Sequence, residues 1–345
     1  MKKTIISFCF AALSTFGAVA GNPDRAGSAG ASHLLVNPWA RSAGLGNASM
    51  ASVNGVEGVF LNVAGLAFTN KTELLFTNTQ YFVGTGIQMN SVAFGQKVGK
   101  SGAFGLSVVN MNFGDIARTT TDLPEGGIGS FTVNYSNIGI SYAKGFSNSI
   151  YGGLTVRLIS EAIYNVRSQG VAFDAGIRYV TGPKDNVRFG IALRNVGPPM
   201  RYKGDGLTVS AVIPANGQTL TVEQRSEKYE LPSMVNVGFA YDFLMKNEMK
   251  LTANGQFTSN SFSKDLIAAG LEFSLRNRFI LRGGYQKEIG SNTTYDAKSA
   301  LVGPTGGLTL NLPAGESGSI IGLDYSYRVT NPFAGVHSVG VHITL

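Results

Sequence analysis

From Thr72 to Leu345 the chain is a succession of segments, each about ten residues long, in which apolar and polar residues alternate. Between Glu248 and Ser259, Met249, Leu251, Ala253, Gly255 and Phe257 fall on one face of an extended strand. Lys250, Thr252, Asn254, Gln256 and Thr258 fall on the other. A wall with that pattern separates lipid from water, and closing it removes the unpaired strand edges that a bilayer does not tolerate. The fold class expected is all-β: a transmembrane antiparallel β-barrel. A secreted β-sandwich does not account for so many consecutive strands with apolar residues on one face and glycine and charge on the other.

Alternation and turn signals place strands at 72–83, 86–97, 101–112, 130–144, 150–163, 170–181 and 186–195, then at 230–243, 248–259, 265–275, 278–287, 301–312, 318–330 and 335–345. That is about fourteen, an even number, as single-chain bacterial barrels have. The pattern slips in the fourth segment around Tyr135 to Gly139, and Gly303-Pro304 interrupts the twelfth. Short turns follow the even-numbered segments, for example Gly99-Lys100 and Arg276-Asn277. The long connections Phe113 to Gly129, Val196 to Tyr229 and Glu288 to Ala300 follow odd-numbered ones. Short turns on the periplasmic side and long loops outside are the arrangement of such barrels.

The amino terminus supplies an export route. Lys2 and Lys3 precede an apolar run from Thr4 to Ala18, and Ala18-Val19-Ala20 fits a cleavage site before Gly21. The division expected is a leader over 1–20, an amino-terminal segment over 21–70 and a barrel over 71–345, located in the outer membrane and in contact with its lipid. The single cysteine, Cys9, belongs to the leader, so disulfides and thiolate metal sites are excluded from the mature chain. The chain has 28 basic and 21 acidic residues, and losing Lys2 and Lys3 leaves a surplus of about +5, spread too thinly to read as nucleic-acid binding.

The inward faces of the expected strands carry Arg157, Asp174, Arg178, Arg188, Arg194, Asp242, Glu272, Arg282, Asp324 and Arg328. Both signs are present, which points to pairing across the lumen, because an unpaired charge in a narrow interior is costly. Inward glycines such as Gly176, Gly190, Gly238, Gly270 and Gly284 leave room for long neighbours or for an inserted plug. Residues 37–68 are rich in Gly, Ala and Ser and lack sustained alternation, so they read as a hatch inside the barrel rather than as wall.

No enzymatic constellation is present. Of the histidines His33, His337 and His342, His337 lies on the opposite strand face from Ser338. His342 shares Ser338's face at a distance of about 13 Å by strand rise, beyond the reach that a nucleophile and base require. It reads instead as a lumen or rim residue near the periplasmic end. The chain offers no carboxylate and histidine cluster at metal-ligand spacing and no nucleotide-binding glycine turn, so no cofactor is expected.

The hatch also carries a resemblance. Ala40-Arg41, Gly44-Leu45-Gly46 and Asn62-Val63-Ala64-Gly65-Leu66-Ala67 are similar to the amino-terminal signature of the PorV/PorQ family and, more distantly, to FadL-type transporters. Phe173-Asp174-Ala175-Gly176, Arg188 to Pro198, Leu231-Pro232, Ala269 to Phe273, Ile280 to Tyr285, Gly322 to Tyr325 and Gly335 to His337 follow in the family's order. The chain departs from it at Asn62-Val63-Ala64, where the family usually has Asn-Pro-Ala, and at Leu345, where an aromatic residue is common. The resemblance implies a FadL-like barrel of fourteen strands. For the characterised members it further implies a part in type IX secretion, with translocon proteins, attachment proteins and cargo carrying carboxy-terminal signal domains as partners.

The residues to which the resemblance draws attention in the hatch are Arg41, Gly44, Gly46, Asn62, Gly65 and Leu66. For a partner surface, the long loop offers Pro198, Pro199, Met200, Arg201 and Tyr202, with Val209, Val212, Ile213 and Leu220 beyond. That loop has two readings: it docks a partner, with strand addition along Leu207 to Ile213 as one mode, or it caps the barrel mouth. For the whole chain the alternative to secretion is a FadL-like channel or carrier for hydrophobic small molecules, with the hatch as its gate.

Overall fold

The computed structural model describes residues 25–213, 215, 217–291, 299–314, 318–330 and 333–345; the expected leader lies outside them. The strands are β1 (Thr72–Tyr81), β2 (Ile87–Val98), β3 (Gly102–Ala117), β4 (Ser130–Gly145), β5 (Ile150–Ile163), β6 (Val166–Thr181) and β7 (Val187–Val196). After three short loop strands, β8 (Tyr202–Lys203), β9 (Thr208–Val212) and β10 (Thr219–Glu223), come β11 (Met234–Leu244), β12 (Met249–Asn260), β13 (Leu266–Leu275), β14 (Phe279–Glu288), β15 (Gly303–Ala314), β16 (Ser319–Arg328) and β17 (Val336–Thr344). β1 to β7 and β11 to β17 form one closed antiparallel barrel of 14 strands. β17 returns to β1 with Phe76 opposite Val341, and β7 meets β11 with Gly190 opposite Gly238.

Side-chain direction follows the alternation. Phe76, Ile140, Leu154, Ile177, Ile191, Phe239, Leu281 and Leu323 are exposed on the outer surface. Their inward neighbours, among them Thr77, Ser141, Thr155, Arg178, Arg282 and Asp324, are buried. An apolar sleeve of this extent calls for an apolar surrounding.

Three local expectations are corrected. The fourth segment does not slip: Val133, Tyr135, Asn137, Gly139, Ser141 and Ala143 form one inward row. Tyr135 is simply a large inward residue, with its ring 5.1 Å from that of His33 and 4.9 Å from that of Phe113. β15 is not interrupted but begins at Gly303-Pro304, where Gly303 takes φ +129°. β3 runs on to Ala117, past the expected end at 112, because a bulge between Asn112 and Asp115 lets the ladder resume with Asp115 opposite Thr132.

Residues 31–69 fill the lumen as a plug of short helical turns at Ser32–Leu35, Ala40–Ala43, Gly55–Glu57, Gly58–Leu61 and Val63–Phe68. The turns stay short because glycine and small residues interrupt them. The Asn62 side chain caps the last one, accepting from the Ala64 amide at 3.1 Å. Trp39, Met50, Val53, Val56, Val59, Phe60, Leu61, Val63 and Leu66 bury against one another and against inward alanines of the wall. At the loop end, the Gly30 amide donates to the Glu230 carbonyl at 3.0 Å. The segment therefore enters at the loop end and leaves at the short-turn end, where β1 begins.

Candidate functional site: the plug, the inner wall and the cavity between them

Inward glycines mark where the plug approaches. A side chain at Gly284 would collide with the Leu45 backbone, one at Gly176 with Asn62, and one at Gly238 with Met50. Gly190 faces Asn62 and Met50, and Gly270 faces Leu45. Within the plug, Gly65 lies under the Val53 carbonyl and next to Leu66, which is fully buried. Gly46 has φ +64° and rests on Tyr285 of β14. The Gly44 carbonyl accepts from Thr305 Oγ1 at 3.1 Å, and Asn62 Nδ2 donates to the Ile177 carbonyl at 3.1 Å.

The charged inner face pairs between neighbouring strands, not across the lumen as expected. Arg157 of β5 donates to Asp174 of β6 at 2.6 Å, and Arg282 of β14 to Glu272 of β13 at 2.7 Å. Arg188 pairs with Asp242, and His342 Nδ1 lies 2.7 Å from Asp324 Oδ2. The space that cross-lumen pairs would need is taken by the plug.

The plug then supplies partners of its own. Arg178 Nε donates to the Ala51 carbonyl and Nη1 to Asn54 Oδ1, both at 2.7 Å. Arg194 donates to the Leu34 carbonyl at 3.3 Å, and its guanidinium stands 4.1 Å from the Phe60 ring. Arg157 stands 5.3 Å from the same ring, so one phenyl group is held between two cations. On the plug itself, Glu57 accepts from the Ser42 amide at 2.9 Å and lies 3.7 Å from Arg41 Nε. Among the described residues Arg178, Arg194 and Arg328 have no carboxylate within ion-pair distance.

Between plug and wall at the loop end lies a cavity of about 440 Å³. Its apolar side is formed by Val36, Phe60, Tyr81, Phe82, Leu301 and Val336; its polar side includes Asn236, Gln256, Thr258 and Ser338. Arg194 and Arg328 reach it from opposite parts of the wall. Arg328 donates to Gln286 Oε1 at 3.1 Å and to the Leu301 carbonyl. The size is that of a small-molecule site. Sequence reasoning found the two arginines but missed the apolar lining. The inward Tyr81, Met89, Val109 and Met111 on β1 to β3 were the available signal, since they break an otherwise polar inner face.

The loop candidates divide. Met200 is buried with Leu34, Ile159, Ala172 and Leu231, and the Tyr202 phenol donates to Glu161 Oε2 at 2.8 Å. Arg201 is half-buried, and Pro198 and Pro199 are exposed. The stretch around Met200 therefore folds over the mouth. Beyond it, among the described residues, β9 pairs only with β10, and Val209, Val212, Leu220 and Val222 of that hairpin are exposed.

No protein-family model and no curated protein matches the sequence. Solved barrels do match. The Pseudomonas putida toluene transporter TodX superposes with a TM-score of 0.57 at 13% identity, covering 89% of this chain and 97% of that one. The CymD monoaromatic hydrocarbon channel gives 0.56 at 11% identity, covering 90% and 97%. A Pseudomonas aeruginosa FadL homologue gives 0.52 at 13% identity, covering 88% and 96%. The shared property is the fold, a FadL-like barrel of 14 strands.

Proposed function

We propose that the protein is a non-enzymatic outer-membrane barrel that admits a hydrophobic small molecule at the loop-end cavity and passes it on when the plug shifts. The observation that carries this reading is the cavity of about 440 Å³ between plug and wall, apolar on one side and bordered by two guanidinium groups that have no carboxylate partner among the described residues. A molecule with an apolar body and a polar end matches both sides. The apolar sleeve supports a membrane location. The barrels that share the fold and are described as hydrocarbon channels favour this reading over secretion.

The test is a reversible lock. A Cβ added at Gly95 of β2 would lie 3.1 Å from the Cβ of Val56 in the plug, within a few tenths of an ångström of the Cβ separation of a disulfide, about 3.5–4.5 Å. In the Val56→Cys, Gly95→Cys double variant, uptake of a hydrophobic tracer into cells should stop on oxidation and return on reduction. Uptake indifferent to the lock would refute the gate.

A second reading, a secretion component of the PorV/PorQ type, draws support from the ordered motifs and from the exposed apolar face of the β9–β10 hairpin. Gentle purification from native outer membranes tests it: a translocon barrel, attachment proteins or signal-bearing cargo recovered with this chain would favour secretion.

A further inference from the structure

The mouth of the barrel holds a second recess, of about 340 Å³, that shares only Ser32 with the cavity below. It is lined by Gly27 and Gly30 of the entering segment, Tyr135 of β4, Glu161 of β5, and Tyr202 and Tyr229 of the long loop. Glu161 is 2% exposed. Its Oε2 accepts from the Tyr202 phenol at 2.8 Å and from the Tyr229 phenol at 2.6 Å. Its Oε1 lies 3.2 Å from His33 Nδ1. No lysine or arginine among the described residues lies within ion-pair distance of this carboxylate.

The rings are held in place. Tyr202 and Tyr229 stand 5.7 Å apart, inclined at 33°. The Tyr229 phenol oxygen, its proton given to Glu161, accepts from Ser168 Oγ at 2.7 Å, and the ring packs so closely on Gly30 that no side chain fits there. Burial, reinforced by hydrogen bonding to Glu161 and by its charge, pushes both phenols well above the ordinary tyrosine range. They therefore remain neutral donors, and the recess is lined by one carboxylate and three tyrosine side chains.

We propose that this recess binds an organic ammonium ion, with Glu161 as counter-ion and Tyr135, Tyr202 and Tyr229 as walls. A carboxylate buried without a cation is costly, and aromatic faces attract an alkylammonium group while offering nothing to an anion. A hard metal ion would need several more oxygen ligands. The phenols tie the loop down and His33 Nδ1 stands at 3.2 Å; none of the three carries a permanent charge, and an organic ammonium ion supplies one. The recess is distinct from the cavity, so a hydrophobic ligand bound below neither supports nor refutes it.

The experiment is calorimetric titration of the full-length barrel in detergent with choline and with its neutral isostere 3,3-dimethylbutan-1-ol. Choline should bind at least tenfold more tightly than the isostere. Glu161→Gln should weaken choline at least tenfold, and Tyr229→Leu should weaken it more than Tyr229→Phe, which keeps the ring. Heat-modifiable migration on gels reports that each variant is folded. Equal binding of choline and isostere, no binding of either, or a folded Glu161→Gln variant that binds choline like the parent would overturn the assignment. If Glu161→Gln fails to fold, the choline and isostere comparison on the unmodified protein decides.

Discussion

The backbone of Leu45, in the plug, lies against Gly284 of β14 with no room for a side chain between them. Gly284→Leu should force the plug off the wall while leaving the β14 ladder intact. Overpacking of this kind costs about 1–3 kcal/mol. Limited proteolysis should then cut before Thr72 faster than in the parent, with the barrel fragment still heat-modifiable. Unchanged cleavage would mean that the plug is not seated at this point.

Phe60 is 3% exposed and sits between Arg157 and Arg194. Phe60→Ala removes a buried ring, a loss of about 3–5 kcal/mol by the precedent of core truncations. Phe60→Leu should recover part of the volume but not the cation contacts. Thermal denaturation of the three proteins in one detergent should rank them parent, leucine, alanine.

Asp174 accepts from Arg157 at 2.6 Å and from the Asn195 amide at 2.7 Å. Asp174→Ala leaves a buried guanidinium unpaired and should cost about 3–5 kcal/mol. Arg328→Met breaks no ion pair among the described residues but gives up the hydrogen bonds to Gln286 and to the Leu301 carbonyl, so it should cost less, about 1–3 kcal/mol, while altering which ligands the cavity retains. Equal destabilisation by both would refute the distinction between paired and unpaired arginines.

The phenols of Tyr202 and Tyr229 should ionise later than exposed tyrosines as pH rises, because burial and Glu161 both oppose the phenolate. A spectrophotometric titration should therefore show a late alkaline component that shrinks in the Tyr202→Phe, Tyr229→Phe double variant. If the double variant removes an early component instead, the two phenols are not bound to the carboxylate.

Among the described residues the β9–β10 hairpin pairs only with itself. Deleting Thr208 to Glu223 and closing the gap should shift the melting temperature by no more than a few degrees. The same deletion separates the functional readings, since tracer uptake should persist while any partner recovered from native membranes is lost.

Much of the wall was legible in the chain. Alternation assigned Ile177 outward and Arg178 inward without any knowledge of neighbours, because successive side chains on a strand must point to opposite faces. Strand number and loop lengths followed from the same local property. The site was legible only in part: Arg194 and Arg328 were named, but Tyr81, Phe60 and Glu161 were not, since nothing local distinguishes a lining residue from a packed one.

What the sequence determined by itself is therefore the repeating two-faced strand and the small-residue segment that cannot be wall. Tertiary structure alone decided which groups meet. Arg178 ends on the Ala51 carbonyl, 127 residues away, instead of on a carboxylate across the lumen. Tyr229 and Glu161 meet at a separation of 68 residues. Facing is set by one residue's own backbone. Partnership is set by ring closure, strand register and the volume the plug occupies, which exist only once the whole chain has folded.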